Sequence, residues 1–301
     1  MREKAEAMVM ASFAADSLAL GAHWIYDAGR IQKDYGRVDS FLKPSPNSFH
    51  STKEKGDFTH YGDQSCVLLE SIAARGEFDR NDFSGRWRAL FDGYNGYFDQ
   101  ATRTTLSNYA TGSPVESAGS PSNDLAGASR MAPLIFCDRE DPERLVKDAR
   151  EQTSMTHKDP LTNDSAEIFA LTAQRALKGE SPVKAMTAIV EERFADSVLA
   201  GWVADGVRSK DGDSISVIGR FGQSCHTNEA FPGVVHLIAK YENNLEEALV
   251  QAVMAGGDSA ARGMMVGMVL GAYLGSGGIP DRWMSDMTRA KQIQALLDRI
   301  P

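Results

Sequence analysis

Three aspartates stand where small residues, turn formers and the start of a helical pattern coincide: Asp16, Asp63 and Asp258. Carboxylates that converge on one point can do acid–base chemistry or hold a hard divalent cation such as Mg²⁺. Asp16 sits in Ala14-Ala15-Asp16-Ser17, which runs into Gly21-Ala22-His23-Trp24-Ile25-Tyr26-Asp27. Buried there, it must find donors or a cation, because an unpaired buried charge is costly; on a solvated helix edge it needs neither. Asp63 belongs to Gly56-Asp57-Phe58-Thr59-His60-Tyr61-Gly62-Asp63-Gln64, ahead of an apolar helix over Ser65–Ala73. An N-cap role explains it as well as a ligand role. Asp258 follows Gly256-Gly257 and opens a second apolar helix, so the same two readings stand. The paired glycines add a tight turn and room for a ligand to approach the backbone.

Other polar and aromatic residues are placed to line such a site: His23, Trp24, Tyr61, Gln64, Asn123, Asp124, Arg130, His157 and Arg262. They offer donors for a ribose or a phosphate. Arg262 lies four residues beyond Asp258, the spacing of an intrahelical ion pair that would fill a cation position. Arg130 reads as a core-edge residue paired with Asp124. Trp24 and Phe231 are either base-stacking rings or core. Cys225-His226 is adjacent in sequence, which does not suit a thiolate–imidazole nucleophile pair on a helix, so a cysteine hydrolase is disfavoured.

The elements that must position these residues are helices. Segments 4–22, 64–74, 83–93, 141–152, 164–178, 183–206, 245–256 and 259–275 carry apolar residues three and four apart. The best strand candidate is the short segment 214–218. Loops rich in Gly, Pro, Ser and Asn separate the segments, none long or charged enough for an interdomain linker. The expected architecture is all-α, a single compact orthogonal bundle over residues 1–301. Gly263, Gly267, Gly271 and Gly275 recur every four residues in one helix. Each mid-helix glycine costs roughly 0.5–1 kcal/mol relative to alanine, so the stripe implies close approach of another backbone.

Composition narrows the function classes. The chain of 301 residues is 42% hydrophobic and 24% charged, with a net charge of -9. An acidic balance argues against nucleic acid as the main partner. Three scattered cysteines, Cys66, Cys137 and Cys225, with no CxxC pair, suggest neither a disulfide framework nor a structural zinc site. No run approaches the roughly 18 apolar residues of a membrane span. No signal peptide is visible, and cytoplasmic residence is the expectation. The oligomeric state is not legible.

The order of motifs resembles the ADP-ribosylglycohydrolase superfamily. Ala15-Asp16-Ser17-Leu18, Tyr61-Gly62-Asp63-Gln64 and Gly256-Gly257-Asp258-Ser259-Ala260-Ala261 are similar to its early Gly-Asp-Ala-Leu-Gly helix, its Thr-Asp-Asp-Thr helix start and its late Gly-Gly-Asp-Thr-Asp-Thr helix start. Ser122 through Pro133 and Thr156-His157-Lys158-Asp159-Pro160 extend the match. The resemblance implies an all-α fold, two Mg²⁺ ions, and hydrolysis of an N- or O-glycosidic bond of an ADP-ribosyl or related ribosyl substrate. It carries Asp16, Asp63 and Asp258 over as catalytic candidates, and Asp63, Asp258 and Ser259 as metal ligands. The departures are as specific. Gly62 and Ala260 stand where the family has carboxylates, and His23 or Trp24 where it has another acidic residue. The ligand set is therefore reduced, with one Mg²⁺, two, or none. Such variants look like the branch that includes the J1 crystallins. The alternative expectation is thus a non-catalytic member that binds ADP-ribose or a nucleotide, or serves as a structural, crystallin-like protein.

Overall fold

The computed structural model describes residues 1–301, of which 65% lie in helices and none in a strand. In chain order the α-helices are α1 (Arg2–Leu20), α2 (Ala28–Tyr35), α3 (His60–Arg75), α4 (Arg80–Leu90), α5 (Gln100–Ala110), α6 (Ala126–Ser129), α7 (Ala132–Asp138), α8 (Pro142–Ser154), α9 (Pro160–Leu177), α10 (Pro182–Arg193), α11 (Val198–Arg208), α12 (Ser214–Phe221), α13 (Thr227–Lys240), α14 (Leu245–Met254), α15 (Ser259–Leu274), α16 (Asp281–Asp286) and α17 (Ala290–Leu297). Their starts follow local chemistry. Asp79, Asp99, Asp141, Asp159 and Asp213 each cap the helix that follows by accepting a first-turn backbone N–H. Pro142, Pro160 and Pro182 occupy first positions, where no N–H is needed.

Two local expectations need correction. Segment 214–218 is not a strand; it opens α12, because Asp213 caps it through the Ser216 N–H and backbone. Segment 183–206 is two helices, α10 and α11, since α10 ends at Arg193 and Ser197 caps a new start.

The glycine stripe explains the centre of the molecule. Helix α1 is buried from Met8 to Leu20, and α15 from Ser259 to Ala272. They run antiparallel, with Ala15, Ala11 and Ala7 of α1 meeting Gly263, Gly267 and Gly271 of α15. A Cβ at Gly267 would lie 2.6 Å from the Ala11 carbonyl oxygen, and one at Gly271 3.0 Å from the Met8 Cα. The two backbones are therefore in direct contact. Burial of the paired helices recovers what the glycines cost in propensity. The close pair also fixes the depth of Asp16 in α1 against Asp258 at the head of α15. No helix is long and apolar enough to cross a membrane.

Candidate active site

Asp16 is fully buried, and its partner is the capping residue of another helix. Its carboxylate accepts the Thr59 backbone N–H at 2.7 Å and the Thr59 hydroxyl at 2.6 Å. Thr59 in turn caps α3, accepting the Tyr61 N–H at 3.1 Å. Helix α3 thus starts at His60, three residues before Asp63, and Asp63 is not its N-cap, contrary to one reading of the sequence. Burial pushes the Asp16 carboxyl up to about 7, against the pull of the Thr59 donors. The same contact accounts for Gly62. A Cβ there would lie 2.4 Å from Asp16 Oδ2, so this backbone has no room for the missing carboxylate.

A titrating Asp16 has a consequence for stability. Between the ordinary unfolded value near 3.9 and about 7, the folded state keeps a proton that the unfolded state has lost. Its contribution is therefore full at low pH and is lost as pH rises through that window. Asp16→Asn stays neutral, accepting from the Thr59 N–H and donating to its hydroxyl. Relative to the native chain it is expected to gain roughly 1–3 kcal/mol between about pH 4.5 and pH 8. Urea unfolding at the two pH values measures this, and a pH-independent difference would contradict it.

Asp63, in the first turn of α3, is held by cations of the protein itself. Lys53 Nζ lies 2.5 Å from Oδ2, the Tyr94 hydroxyl donates to the same oxygen at 2.6 Å, and Arg289 Nη1 is 3.4 Å from Oδ1. Lys53 also sits over the Tyr94 ring. Only 13% of the lysine side chain and 3% of the aspartate side chain are exposed, so this pair is shielded from water and salt. Breaking one side of it leaves a buried charge. Lys53→Met is expected to cost roughly 2–4 kcal/mol, and adding Asp63→Asn to restore much of it. A double-mutant cycle by denaturant unfolding tests the coupling.

Asp258 caps α15. Its Oδ1 accepts the Ala261 N–H at 3.3 Å, and its Oδ2 accepts the Tyr61 hydroxyl at 3.2 Å. Gly256 and Gly257 have φ of +72° and +70°, and a Cβ at Gly257 would meet the Gln223 carbonyl oxygen at 2.1 Å. This turn is paired with the His23-Trp24-Ile25 turn by Trp24 N–H to Gly257 O (3.0 Å) and Gly257 N–H to Ile25 O (2.9 Å). His23 is thereby set against the head of α15. Its Nδ1 accepts the Ala260 N–H at 3.3 Å, which places the ring proton on Nε2, 3.9 Å from Asp258. Burial holds His23 well below its ordinary value, so the imidazole is neutral, and burial pushes Asp258 up to about 6.

Arg262 does not pair with Asp258. Its Nη2 donates to the carbonyls of Ala252 (2.8 Å) and Gly256 (2.5 Å), tying α14 to the glycine turn. Its Nε and Nη1, with the Ser259 hydroxyl, are buried without a hydrogen-bond partner in the protein. Buried donors of this kind call for a polar occupant.

The remaining residues fall into two groups. Gln64 and Arg130 bond to groups of the protein itself. Gln64 Oε1 accepts from Trp87 Nε1 (2.7 Å) and from Arg130, and Nε2 donates to the His60 carbonyl. Arg130 also donates to the Thr156 hydroxyl, and so is not the partner of Asp124. Burial lowers the Arg130 guanidinium to about 10, and the Asp99 carboxylate opposes that shift. His157 shares the Thr156 hydroxyl at 2.8 Å, and burial lowers it to about 4. Asn123 and Asp124 instead face Cys225 and His226 on a neighbouring loop. Trp24 has φ +64° and joins Phe49, His50 and Tyr97 in an aromatic cluster, beside a cavity of about 260 Å³ lined by His23, Trp24, Tyr26 and Arg30. Phe231 packs on Phe169 and Trp202 in the core.

These donors do not fit a pair of Mg²⁺ ions. The Asp63 oxygens face an ammonium, a guanidinium and a phenol. Those of Asp16 and Asp258 are engaged by Thr59, Ala261 and Tyr61. No convergence of three acidic, histidine or cysteine donors includes Asp63 or Asp258. Lys53, Tyr94 and Arg289 were not among the sequence candidates. They come from distant, irregular or surface-like stretches, and no spacing marks them.

Comparison with known proteins agrees with this architecture. The human ADP-ribosylhydrolase ARH3 is 24% identical over 80% of this chain and 78% of its own length. Crystallin J1A of Tripedalia cystophora is 21% identical over 97% and 94%. A solved structure titled "ADP-ribosylglycohydrolase-related protein complex" superposes with a TM-score of 0.76 at 25% identity, covering 99% of this chain and 97% of that one. The model of the ADP-ribosylglycohydrolase family matches residues 1–301, and with the helical fold and the pairing of the His23-Trp24-Ile25 turn with the Gly256-Gly257 turn already described, the chain belongs to that family.

Proposed function

We propose that this chain is a glycoside hydrolase that cleaves an N- or O-glycosidic bond of an ADP-ribosyl or related ribosyl substrate, with its own cations where relatives would use magnesium. One observation carries the reading. Asp258, a buried carboxyl poised at about 6, stands beside Tyr61 and neutral His23, next to the unpartnered donors of Ser259 and Arg262. A carboxyl with a value near working pH is suited to proton transfer during glycoside cleavage. Arg262, Ser259 and the α15 N-terminus supply donors for ribose hydroxyls or a phosphate. Lys53 and Arg289 lie against the Asp63 carboxylate where a metal would otherwise supply positive charge. Asp258 is 1% exposed, so a substrate reaches it only after the cover near His23 and Trp24 shifts. Release of ADP-ribose from modified arginine, modified serine and small conjugates tests the proposal. Turnover is expected with EDTA as with Mg²⁺, and its absence on every conjugate in both buffers would reject it.

A second reading rests on a different observation. All three carboxylates are nearly inaccessible, and Asp63 is engaged by three protein donors. That arrangement also suits a non-catalytic protein that binds ADP-ribose or has a structural role. Calorimetry with ADP-ribose separates the two versions, because heat without turnover favours binding and a flat titration the structural role.

A further inference from the structure

We infer that Asp124, Cys225 and His226, with Asn123 as the fourth donor, form a binding site for a divalent transition cation of the Zn²⁺ class. The side chains come from two loops that pair as a short antiparallel bridge between Asp124 and His226. The bridge is held by Leu125 N–H to Cys225 O (2.8 Å) and Thr227 N–H to Asn123 O (2.9 Å). Backbone pairing therefore sets Asn123-Asp124 opposite Cys225-His226 without any ion. The donors already converge. Cys225 Sγ lies 3.1 Å from Asp124 Oδ1, and His226 Nδ1 lies 3.3 Å from the same oxygen and 2.9 Å from Asn123 Oδ1. The atoms of the three titratable residues all fall within 4.8 Å of one another. Tetrahedral bonds of roughly 2.0–2.3 Å to nitrogen, oxygen and sulfur leave ligand atoms about 3.3–3.8 Å apart, so little movement is needed.

Donor chemistry selects the ion. Thiolate and imidazole favour zinc and its neighbours over magnesium or calcium, which take oxygen ligands. Binding replaces the thiol proton that Cys225 now shares with Asp124, and that proton leaves to solvent. His226 ligates through Nδ1 with its proton on Nε2, which the half-exposed ring turns toward water. One thiolate and one carboxylate then balance the dication. Asp258 adds negative potential at Cys225, which favours a cation there. A cavity of about 320 Å³, lined by Ser122, Asn123, Asp124 and His226 among others, gives the ion a route from solvent.

The test uses the full chain stripped with a chelator and titrated with Zn²⁺ by calorimetry and with Co²⁺ by absorption. One equivalent is expected, with a thiolate-to-cobalt charge-transfer band in the near ultraviolet. Cys225→Ser is expected to abolish the band and weaken Zn²⁺ binding on the order of 100-fold, and Asp124→Asn to weaken it less. Cys137→Ser, which alters the other partly exposed thiol, should leave both unchanged. His226→Gln, a second ligand variant on a half-exposed side chain, is expected to weaken Zn²⁺ binding as well. Absence of the band, or Zn²⁺ binding by Cys225→Ser as tight as by the native chain, would overturn the site.

Discussion

Gly267→Ala is expected to destabilise the protein by roughly 2–4 kcal/mol, while Gly263→Ala, one turn earlier, is expected to stabilise it by roughly 0.5–1 kcal/mol. The two substitutions are chemically identical and sit on one stripe of one helix. They differ in what the new methyl meets. At Gly267 it would lie 2.6 Å from the Ala11 carbonyl oxygen and 3.0 Å from its carbon, so α1 and α15 must separate. At Gly263 the nearest atom is the Ala15 Cβ at 3.5 Å, ordinary contact, and the gain in helix propensity remains. Denaturant unfolding of the two variants measures the difference directly. Equal effects of the same sign would mean that the stripe does not mark a backbone contact.

Asp258→Asn is expected to lower the proposed glycosidic cleavage by roughly 10²–10⁴-fold while leaving the fold intact. A carboxamide still accepts the Ala261 N–H through its oxygen and turns its NH2 to donate to the Tyr61 hydroxyl oxygen, so the cap survives and thermal stability should not fall. What disappears is a group that exchanges a proton near pH 6. The pH–rate profile should therefore lose its limb in that region along with the rate. A variant that turns over at the native rate with the same profile would remove Asp258 from the mechanism. Circular dichroism on the same sample separates loss of chemistry from loss of fold.

Several features of the site were legible without coordinates because they depend on local chemistry. The Gly256-Gly257-Asp258 turn could be read as a helix start that approaches something closely, since only glycine adopts its left-handed angles at no cost. Asp16 could be read as a buried carboxylate because its neighbours are all small and apolar. Other assignments failed for a shared reason. Asp63 looked like a cap because it precedes an apolar run, but Thr59 starts the helix earlier. Arg262 looked like the partner of Asp258 because of i,i+4 spacing, but carbonyls of α14 and the glycine turn compete for its guanidinium. Arg130 looked like a partner of Asp124 by proximity in sequence, yet it turns inward to Gln64 and Thr156. Spacing reports which face a residue occupies, and it does not report which long-range acceptor wins.

The helical class, the paired glycine turn and the glycine stripe were determined by the sequence alone, since periodicity, caps and backbone permissiveness act within a few residues. Only the tertiary structure decided how the carboxylates are neutralised. Lys53 and Arg289 lie 10 and 226 positions from Asp63, outside any helical spacing, and meet it because the bundle folds their loops together. The absence of a side chain at position 62 has the same origin: it is set by the Asp16 carboxylate of another helix, 46 residues away in the chain. Charge pairing and excluded volume act through space, and the chain acquires that geometry only when its helices pack.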